Sequence, residues 1–351
     1  MKKHEKILII GPAWIGDMVM AQTLFKLLQA SKNNCEIHVA APSWTLEIAK
    51  LMPEVSKTIP LPFKHGKFDL FLRYKTGKSL RDEKYTQAIV LPNSLKSALV
   101  PFFAKIPKRT GWLGEMRYFL LNDWRKLNKE KLPLMIERFA ALGLQKDEKL
   151  PNKLPWPELN ALSTRHYDNS SCNPDSLPRH PDSLPRHPGE GQDPETNKKI
   201  LGICPGAEFG PAKRWPAEYF AEVANKKLNN NWEVRLFGGP KDRTITDKIQ
   251  QLTSNRCNNL AGKTTLTEAC ESIAECDLVI TNDTGLMHIA AALNRNLIII
   301  YGSSSPTFTP PLSNKAKILS LNLPCSPCFK RECPFGHYDC LRKLTPDSIT
   351  L

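Results

Sequence analysis

The sequence of 351 residues is 41% hydrophobic and carries a formal net charge of +14. It is long enough for two domains with buried cores, and no segment reaches the ~18 apolar residues of a membrane-spanning helix, which argues against an integral membrane protein. Residues 1–150 hold 26 Lys and Arg against 14 Asp and Glu, so this part carries +12. Such a charge favours an anionic partner, either nucleic acid, a membrane surface or a phosphorylated substrate, although a solvated lysine-rich surface is the simpler interpretation.

The amino terminus predicts a strand rather than a targeting signal. MKKHEKILIIGPAWIGDM combines a basic start with a short apolar run that contains Gly-Pro and reaches Asp17. It lacks a small-residue cleavage site, which a signal peptide would need. We therefore expect a cytoplasmic protein, whose ten cysteines are reduced thiols or metal ligands rather than disulfides.

Apolar runs and helical periodicities alternate along the first 150 residues. A glycine-rich turn at 11–17 joins the first strand to the first helix, and a turn at 92–97 follows a later strand. Strands that alternate with helices predict a parallel sheet covered on both faces. The predicted strands are residues 6–10, 36–40 and 88–91, and the predicted helices are residues 18–29, 44–51, 98–104 and 134–144.

Residues 173–197 are rich in Pro, Ser, Asp, Gly and His, and the heptapeptide PDSLPRH occurs there twice, at 174–180 and 181–187. A repeat this polar and proline-rich cannot bury an apolar face, so it predicts a disordered insertion. Its histidines, His180 and His187, are better explained by duplication than as metal ligands. The chain is thus divided into a first domain at 1–155, a linker at 156–198, a second domain at 199–322 and a cysteine-rich tail at 323–351.

The second part repeats the alternation of strands and helices. Together the two parts predict an α/β protein with two Rossmann-like domains that face each other across a cleft. In such sheets ligands bind beyond the carboxyl ends of the strands. The predicted strands are residues 200–204, 232–237, 278–281 and 297–301, and the predicted helices are residues 217–228, 267–274 and 286–293.

The segment DLVITNDTGLMHIAAALNRNLIIIYGSSSP predicts a strand, a tight turn and a helix that begins directly after Thr284-Gly285. Backbone N–H groups and the positive end of the helix dipole then point beyond the strand, which suits a phosphate. The alternative is an ordinary crossover helix that Asp283 or Thr284 merely caps.

Four loops that follow strands contain the residues of chemical interest. One carries a lone carboxylate, and the others carry glycines, hydroxyls and cations. A carboxylate that faces an anion-binding cradle favours group transfer from a nucleotide-linked donor, because the carboxylate accepts a proton while the cradle holds a departing diphosphate. None of the loops has a Walker A or G-x-G-x-x-G pattern, which argues against an NTPase or a dehydrogenase. The loops are Gly16-Asp17, the segment 206–214 with Lys213 and Arg214, the segment 238–241, and the segment 283–285.

The carboxyl-terminal tail contains Cys325, Cys328, Cys333 and Cys340, with the spacing C-x2-C-x4-C-x6-C. Four thiolates this close in sequence could hold a structural Zn²⁺ tetrahedrally, and His337 is a spare ligand. The alternative is a set of reduced cysteines on a proline-rich loop.

Four long blocks resemble the bacterial lipopolysaccharide heptosyltransferases: ILIIGPAWIGDMVMAQTLF, LPNSLKSALVPFFAKIPKRTGWLGEMRYFLLND, CPGAEFGPAKRWPAEYFAEVA and NDTGLMHIAAALNRNLIIIYGSSSPTFTPPLS. The resemblance implies a glycosyltransferase B fold, with ADP-heptose bound by the second domain and the acceptor by the first. It implies inverting, metal-independent transfer of heptose onto the first heptose of the lipid A–Kdo inner core, by a peripheral protein at the cytoplasmic face of the inner membrane.

The resemblance also implies roles for particular residues. Asp17 would be the general base on the acceptor hydroxyl, and Lys213 the catalytic cation on the diphosphate. We expect the helix start to stabilise the charged form of Asp17, giving it a low pKa. The alternatives are that Asp17 only caps the helix and that Lys213 is a surface lysine. The other residues of the implied donor site are Gly206, Gly238, Gly262, Asp283, Thr284, Gly285 and His288, of which His288 could equally be a packed core histidine.

The implied acceptor site is less specific. A basic first domain suits an acceptor that carries carboxylates and phosphates, but each Lys or Arg could equally be a solvated side chain. We expect a monomer that needs no cofactor for catalysis and does not bind nucleic acid. A nucleotide-sugar epimerase, another core heptosyltransferase and a nucleic-acid-binding module remain alternative functions. The predicted acceptor residues are Asn93, Ser94, Lys96, Arg109 and Arg117.

The carboxyl terminus raises one further expectation. A helix is predicted to start at Thr345, shortly before the last residue of the sequence. Glycosyltransferase B chains usually end in a helix that crosses back to the first domain, so a shortened helix would lower the stability of the closed form.

Overall fold

The computed structural model describes residues 5–32, 35–63, 66–160 and 198–349. The predicted insertion at 173–197, with its PDSLPRH repeat, His180 and His187, lies outside the described residues. Among the described helices, none is both long and apolar enough to cross a bilayer.

The first half forms a parallel sheet of six strands, in the order β3-β2-β1-β4-β5-β6. Ile7 to Ile10 of β1 are almost fully buried, and alternate side chains join different apolar clusters on the two faces of the sheet. Helices on both faces therefore explain why this strand is apolar throughout rather than alternating. The strands are β1 (Glu5–Ile10), β2 (Cys35–Ala41), β3 (Val55–Pro60), β4 (Gln87–Val90), β5 (Lys108–Trp112) and β6 (Asp123–Arg125), and the helices are α1 (Ile15–Ser31), α2 (Ser43–Ala49), α3 (Leu70–Ser79), α4 (Leu95–Phe103) and α5 (Met135–Gly143).

The second half forms another parallel sheet of six strands, in the order β12-β11-β10-β7-β8-β9. Counted from its own first strand, each sheet has the order 3-2-1-4-5-6 of dinucleotide-binding folds. The predicted α/β architecture of two Rossmann-like units is confirmed. The strands are β7 (Ile200–Cys204), β8 (Glu233–Leu236), β9 (Asn258–Asn259), β10 (Leu278–Asn282), β11 (Asn296–Ile300) and β12 (Ala316–Leu319), and the helices are α6 (Ala217–Asn229), α7 (Arg243–Leu252), α8 (Leu266–Ala274), α9 (Gly285–Ala292) and α10 (Asp339–Arg342).

Every strand and helix predicted from apolar patterns is present, with ends shifted by a few residues. The pattern missed the elements that have few buried apolar side chains, namely β3, β5, β6, β9, β12, α3, α7 and the short α10. The helix predicted at Thr345 is a single 3-10 turn, Pro346–Ser348. Leu344 and Ile349 pack into the core of the second sheet. The domain ends at 155, 198 and 322 stay predictions.

The two units meet along α1 and α9, and one apolar cluster contains residues from both sheets. The segment 151–160 strengthens this contact, since the Thr23 hydroxyl donates to the Pro155 carbonyl (2.9 Å) and the Leu159 N–H donates to the Ala292 carbonyl (3.1 Å). At the edge, the Thr267 hydroxyl donates to the Glu47 carboxylate (3.0 Å). The start of α1 is therefore held against the start of α9.

Candidate active site

In each sheet the strand order reverses at one point, and these two points face each other. The reversal lies between β1 and β4 in the first sheet and between β7 and β10 in the second. The loops that follow these four strands, together with the first turns of the helices after them, contain most of the predicted site residues, including Asp17, Ser94, Lys213 and Asp283. Ligands of doubly wound sheets bind at such reversals, beyond the carboxyl ends of the strands.

The glycine corners of α1 and α9 touch each other. A Cβ added to Gly16 would lie 2.6 Å from Cδ2 of His288, and one added to Gly285 would lie 3.0 Å from Cβ of Ile15. Only glycine lets the two helix starts approach this closely. The Gly16-Asp17 corner and the Thr284-Gly285 corner therefore border the same gap between the units.

Gly16→Ala should destabilise this contact, because the new methyl group would overlap the His288 ring. We expect a loss of about 1–3 kcal/mol in the free energy of unfolding, together with slower transfer. Thermal unfolding and a transfer assay measure both effects. Gly239→Ala is the matched control, since its nearest neighbour would be Oδ2 of Asp242 at 3.9 Å. Equal stability of the two variants would contradict the close contact.

Asp17 lies in the first turn of α1 and does not act as its cap. The N-cap residue is Trp14, and no side-chain hydrogen bond caps this helix. Surrounding protein desolvates the Asp17 carboxylate and raises its pKa to about 6. The expectation of a low pKa is therefore wrong, because desolvation outweighs the field of the helix start. The group is still mostly ionised at neutral pH and is a stronger base than an ordinary aspartate.

Lys213 is a positioned cation rather than a free surface lysine. Its Nζ lies 2.5 Å from Oδ2 of Asp283, and the two side chains are 17% and 5% exposed. The Nζ also lies 5.1 Å from the centre of the Phe209 ring. A diphosphate bound at this place would compete with the Asp283 carboxylate for the Lys213 ammonium, or both would contact it.

The start of α9 is organised by residues on both sides of the turn. The Thr284 hydroxyl accepts from the Met287 N–H (3.4 Å) and so caps the helix, as the alternative interpretation predicted. Capping uses the hydroxyl and one N–H group, and it is compatible with an anion above the remaining N–H groups.

Asn282 was missed by the sequence analysis, although it precedes the turn directly. It is fully buried, its Oδ1 accepts from the Trp215 N–H (3.1 Å), and its Nδ2 donates to the Pro205 carbonyl (2.7 Å). It thereby fixes both ends of the loop that contains Lys213. A polar residue at the end of an apolar strand was the available signal.

His288 is a packed histidine at the contact between the units. It is 6% exposed, and its ring lies against Gly16. Burial lowers its pKa to about 4, so the ring is neutral at physiological pH. Of the two interpretations left open, the packed one describes its position.

Two predicted donor-site glycines, Gly206 and Gly238, lie against Asp242, and a third, Gly262, lies beside the same turn. A Cβ on Gly206 would lie 2.3 Å from Cγ of Asp242, and one on Gly238 would lie 2.7 Å from its Cβ. Gly262, at φ +65°, lies against Pro240, and its N–H donates to the Gly238 carbonyl (2.9 Å). These glycines make room for the Asp242 turn, whose carboxylate accepts from the Gly239 N–H (3.0 Å). Asp242 itself was not predicted.

The first unit has a small pocket on the same edge as Asp17. Ser94 and Lys96, two of the predicted acceptor residues, line it. Asn93 is exposed beside them. The other lining residues include Arg73, which is buried, and Phe63, whose ring centre lies 3.9 Å from the Arg73 guanidinium.

Arg109 and Arg117 do not present free charges. Arg117 is 1% exposed, and its guanidinium donates to the carbonyls of Pro92 (2.7 Å) and Trp112 (2.6 Å). Arg109 donates to the carbonyls of Leu120 (2.7 Å) and Ile106 (2.6 Å). Both arginines brace loops in this structure, and their contact with the acceptor stays a prediction. The sequence shows a cation but not the carbonyl oxygens that surround it.

The four tail cysteines lie near one another. The pKa of Cys340 is raised, mainly by burial and further by the nearby thiols of Cys325, Cys328 and Cys333. Slight burial opposes ionisation of Cys333, but nearby backbone N–H groups of residues 335–338 lower its pKa. Within the described ranges, however, no group of three or more His, Cys, Asp or Glu side chains is placed to hold a metal ion.

The tail also supports the loop of Lys213. The Ala212 N–H donates to the Arg331 carbonyl (3.0 Å), and a Cβ on Gly210 would lie 2.5 Å from the same oxygen. The Phe329 N–H donates to the Ser303 carbonyl (2.7 Å). The segment between Cys328 and Cys333 thus packs directly on the candidate donor site.

Two Rossmann-like sheets that meet at the starts of α1 and α9, with their strand-order reversals facing each other, have the architecture of a glycosyltransferase of the B fold. The sequence profile of glycosyltransferase family 9 (heptosyltransferase) matches residues 73–339. The chain belongs to this family, and it is a glycosyltransferase.

Several characterised proteins are similar over nearly the full chain. Lipopolysaccharide heptosyltransferase 2 of Escherichia coli is 44% identical over 98% of this chain and 96% of its own. Lipooligosaccharide heptosyltransferase 2 of Haemophilus influenzae is 47% identical over 90% and 88%. The solved structure of the Escherichia coli ADP-heptose lipopolysaccharide heptosyltransferase II has a TM-score of 0.81, with 43% identity and coverage of 98% and 96%.

Proposed function

We propose that this enzyme transfers L-glycero-D-manno-heptose from ADP-heptose to the first heptose of the lipid A–Kdo inner core, in lipopolysaccharide core biosynthesis. The names of the similar heptosyltransferases support the donor and the acceptor class. The observation that supports the proposal most directly is the contact of the Gly16-Asp17 corner with the Thr284-Gly285 corner, because a base and an anion site on these corners would border one gap.

In the proposed reaction Asp17 accepts the proton of the acceptor hydroxyl. The oxygen of that hydroxyl forms a bond to the anomeric carbon of the heptose, and the bond from this carbon to the diphosphate oxygen breaks. ADP leaves with the electron pair, and attack from the opposite face inverts the anomeric centre. Lys213 and the N–H groups at the start of α9 stabilise the charge that develops on the diphosphate.

The raised pKa of Asp17 gives the reaction a pH dependence. Below pH about 6 the carboxylate is protonated and cannot accept another proton, whereas above it the base is available. We expect kcat/KM to fall as pH decreases through about 6, instead of the ~3.9 of an ordinary aspartate. A profile from pH 4.5 to 8.5 measures this, and a flat profile down to pH 5 would contradict the assignment.

The direct test is transfer from ADP-heptose to a defined acceptor that ends in one heptose, with and without EDTA. We expect the same rate of product formation in both, since no step uses a metal ion. An acceptor without heptose should be inactive, and activity on it would indicate a different core heptosyltransferase. Consumption of ADP-heptose without any acceptor would indicate an epimerase.

We also propose a structural Zn²⁺ held by Cys325, Cys328, Cys333 and Cys340. The spacing, the mutual effect of the thiols on the pKa of Cys340 and the N–H groups near Cys333 support it. Purified protein should contain about one zinc per chain. The expected result for Cys328→Ser is loss of the metal and a lower Tm. Cys257→Ser, which changes a buried thiol outside the tail, should keep the metal. Wild-type protein that contains no zinc, or whose Tm is the same with and without zinc, would contradict the site.

The proposed location is peripheral, at the cytoplasmic face of the inner membrane, and the proposed active form is a monomer. Membrane location follows from an acceptor that is anchored in lipid. Light scattering at assay concentration measures the molar mass and so tests whether the protein is a monomer.

A further inference from the structure

Large apolar side chains are exposed around the acceptor edge of the first unit. Phe71 is 79% exposed, Met116 is 81% exposed and Phe119 is 89% exposed. Phe68 and Leu70 are each about half exposed. Single exposed apolar residues are common, but a group of large ones on one edge of a protein marks an interaction surface.

The loop that carries Met116 and Phe119 is braced from below. The buried Arg117 guanidinium donates to carbonyls of the preceding loops, and the Glu115 carboxylate accepts from the Leu95 N–H (2.6 Å). Glu115 and Met116 have φ of 46° and 50°, a conformation that non-glycine residues adopt only when the surroundings hold them. The exposure of Met116 and Phe119 is therefore built into the loop.

Helix α3 presents a matching outward face. Its inner residues are buried, since the Arg73 guanidinium donates to the Lys96 carbonyl (3.0 Å) and Gly77 lies against α4. Its outer stripe consists of Phe71 and Tyr74 with the exposed Lys75 and Lys78. Apolar side chains next to lysines on one helix face are typical of helices that lie in the interface of an anionic membrane.

The charges on this edge are positive, as binding to an anionic surface requires. Among the residues that the structure describes, no carboxylate pairs with Lys67, Lys75 or Lys78. The residues 1–150 carry +12 in total. Each lysine near an anionic bilayer strengthens binding.

Both surfaces flank the acceptor pocket. The Glu115 carboxylate accepts from the Leu95 N–H, and the Arg73 guanidinium donates to the Lys96 carbonyl, so the Met116 loop and helix α3 both contact the start of α4, next to the pocket. The pocket between them is lined by Phe63, Arg73 and Ser94. A flat partner that covers both surfaces would therefore face the mouth of the pocket.

We propose that Phe71, Tyr74, Met116 and Phe119, with Lys75 and Lys78, form a docking surface for an anionic lipid bilayer. The four apolar side chains enter the headgroup region while the lysines contact acidic headgroups. This inference rests on the proposed function, because only a lipid-anchored acceptor requires the pocket to open at a membrane. Docking presents the sugar of a membrane glycolipid to Asp17 without extraction of its acyl chains.

The test is co-sedimentation of the full chain with vesicles of phosphatidylethanolamine and phosphatidylglycerol, compared with vesicles of phosphatidylcholine alone. We expect binding to the anionic vesicles only, and weaker binding as salt increases. The variant Phe71→Ser/Met116→Ser/Phe119→Ser should bind at least about tenfold more weakly. Lys75→Glu/Lys78→Glu should remove most of the preference for anionic lipid. The matched control is Leu252→Ser, which removes a 45% exposed apolar side chain from α7 of the second unit.

Transfer to a lipid-free oligosaccharide that ends in one heptose separates this inference from the proposed function. Both multiple variants should transfer to it at the wild-type rate. The docking surface alone would be overturned if the triple variant bound anionic vesicles as strongly as the wild-type protein does. It would also be overturned if the wild-type protein bound neutral and anionic vesicles equally. Failure of the wild-type protein to transfer to the soluble acceptor would overturn the proposed function instead.

Discussion

Asp17→Asn is expected to reduce kcat by about 10²–10⁴-fold, because the amide has nearly the shape of the carboxylate but cannot accept the proton. The affinity for ADP should stay within about twofold of the wild-type value, since the diphosphate lies on the other unit. Calorimetric titration with ADP and a transfer assay on the same preparation measure the two quantities. The combination of lost turnover and intact nucleotide binding is specific to a base that acts on the acceptor.

The matched control is Asp82→Asn, which removes an exposed carboxylate from the same unit. It should leave both quantities unchanged. Turnover by Asp17→Asn at the control rate would remove Asp17 from its role. Loss of ADP binding together with turnover would point to a structural role at the contact with α9.

Lys213→Ala should slow transfer by about 10²-fold or more and raise the KM for ADP-heptose, because the cation acts on the diphosphate both before and during its departure. It should also lower the free energy of unfolding by roughly 1–3 kcal/mol, since the Asp283 carboxylate, 5% exposed, loses its partner. Steady-state kinetics and thermal unfolding measure these effects separately.

Two further variants separate charge from packing at Lys213. Lys213→Arg keeps the cation and should retain more activity than Lys213→Ala. Lys241→Ala removes a 78% exposed lysine that pairs with Glu208 nearby, and it should change neither kinetics nor stability measurably. Unchanged kinetics of Lys213→Ala would contradict the phosphate-binding cradle.

The sequence alone predicts the elements that are determined by short local patterns, such as apolar runs and turn residues. The strands β1, β7, β10 and β11 are nearly continuous apolar runs because helices cover both faces of each sheet. The turn Asp283–Gly285 is visible because its residues favour turns and a helix start. Elements without such a run, such as the polar β5 and the outward-facing α3, become visible only once their neighbours are placed.

Properties that depend on the surroundings could not be predicted. The start of a helix suggests a low pKa for Asp17, and only the folded structure reveals the burial that raises it. Likewise the sequence shows Arg117 as a cation near an acceptor loop, whereas the fold surrounds it with carbonyl oxygens. Asn282 looks like a turn residue, although its side chain holds the loop of Lys213.

The most direct measurement is a crystal structure of the enzyme with ADP-2-deoxy-2-fluoro heptose, a donor analogue that resists transfer. We expect the diphosphate on Lys213 and the N–H groups at the start of α9. A carboxylate oxygen of Asp17 should lie about 6 Å from the anomeric carbon, which leaves room for one acceptor hydroxyl between them. A diphosphate bound elsewhere, or an Asp17 carboxylate that faces away from the sugar, would contradict the account.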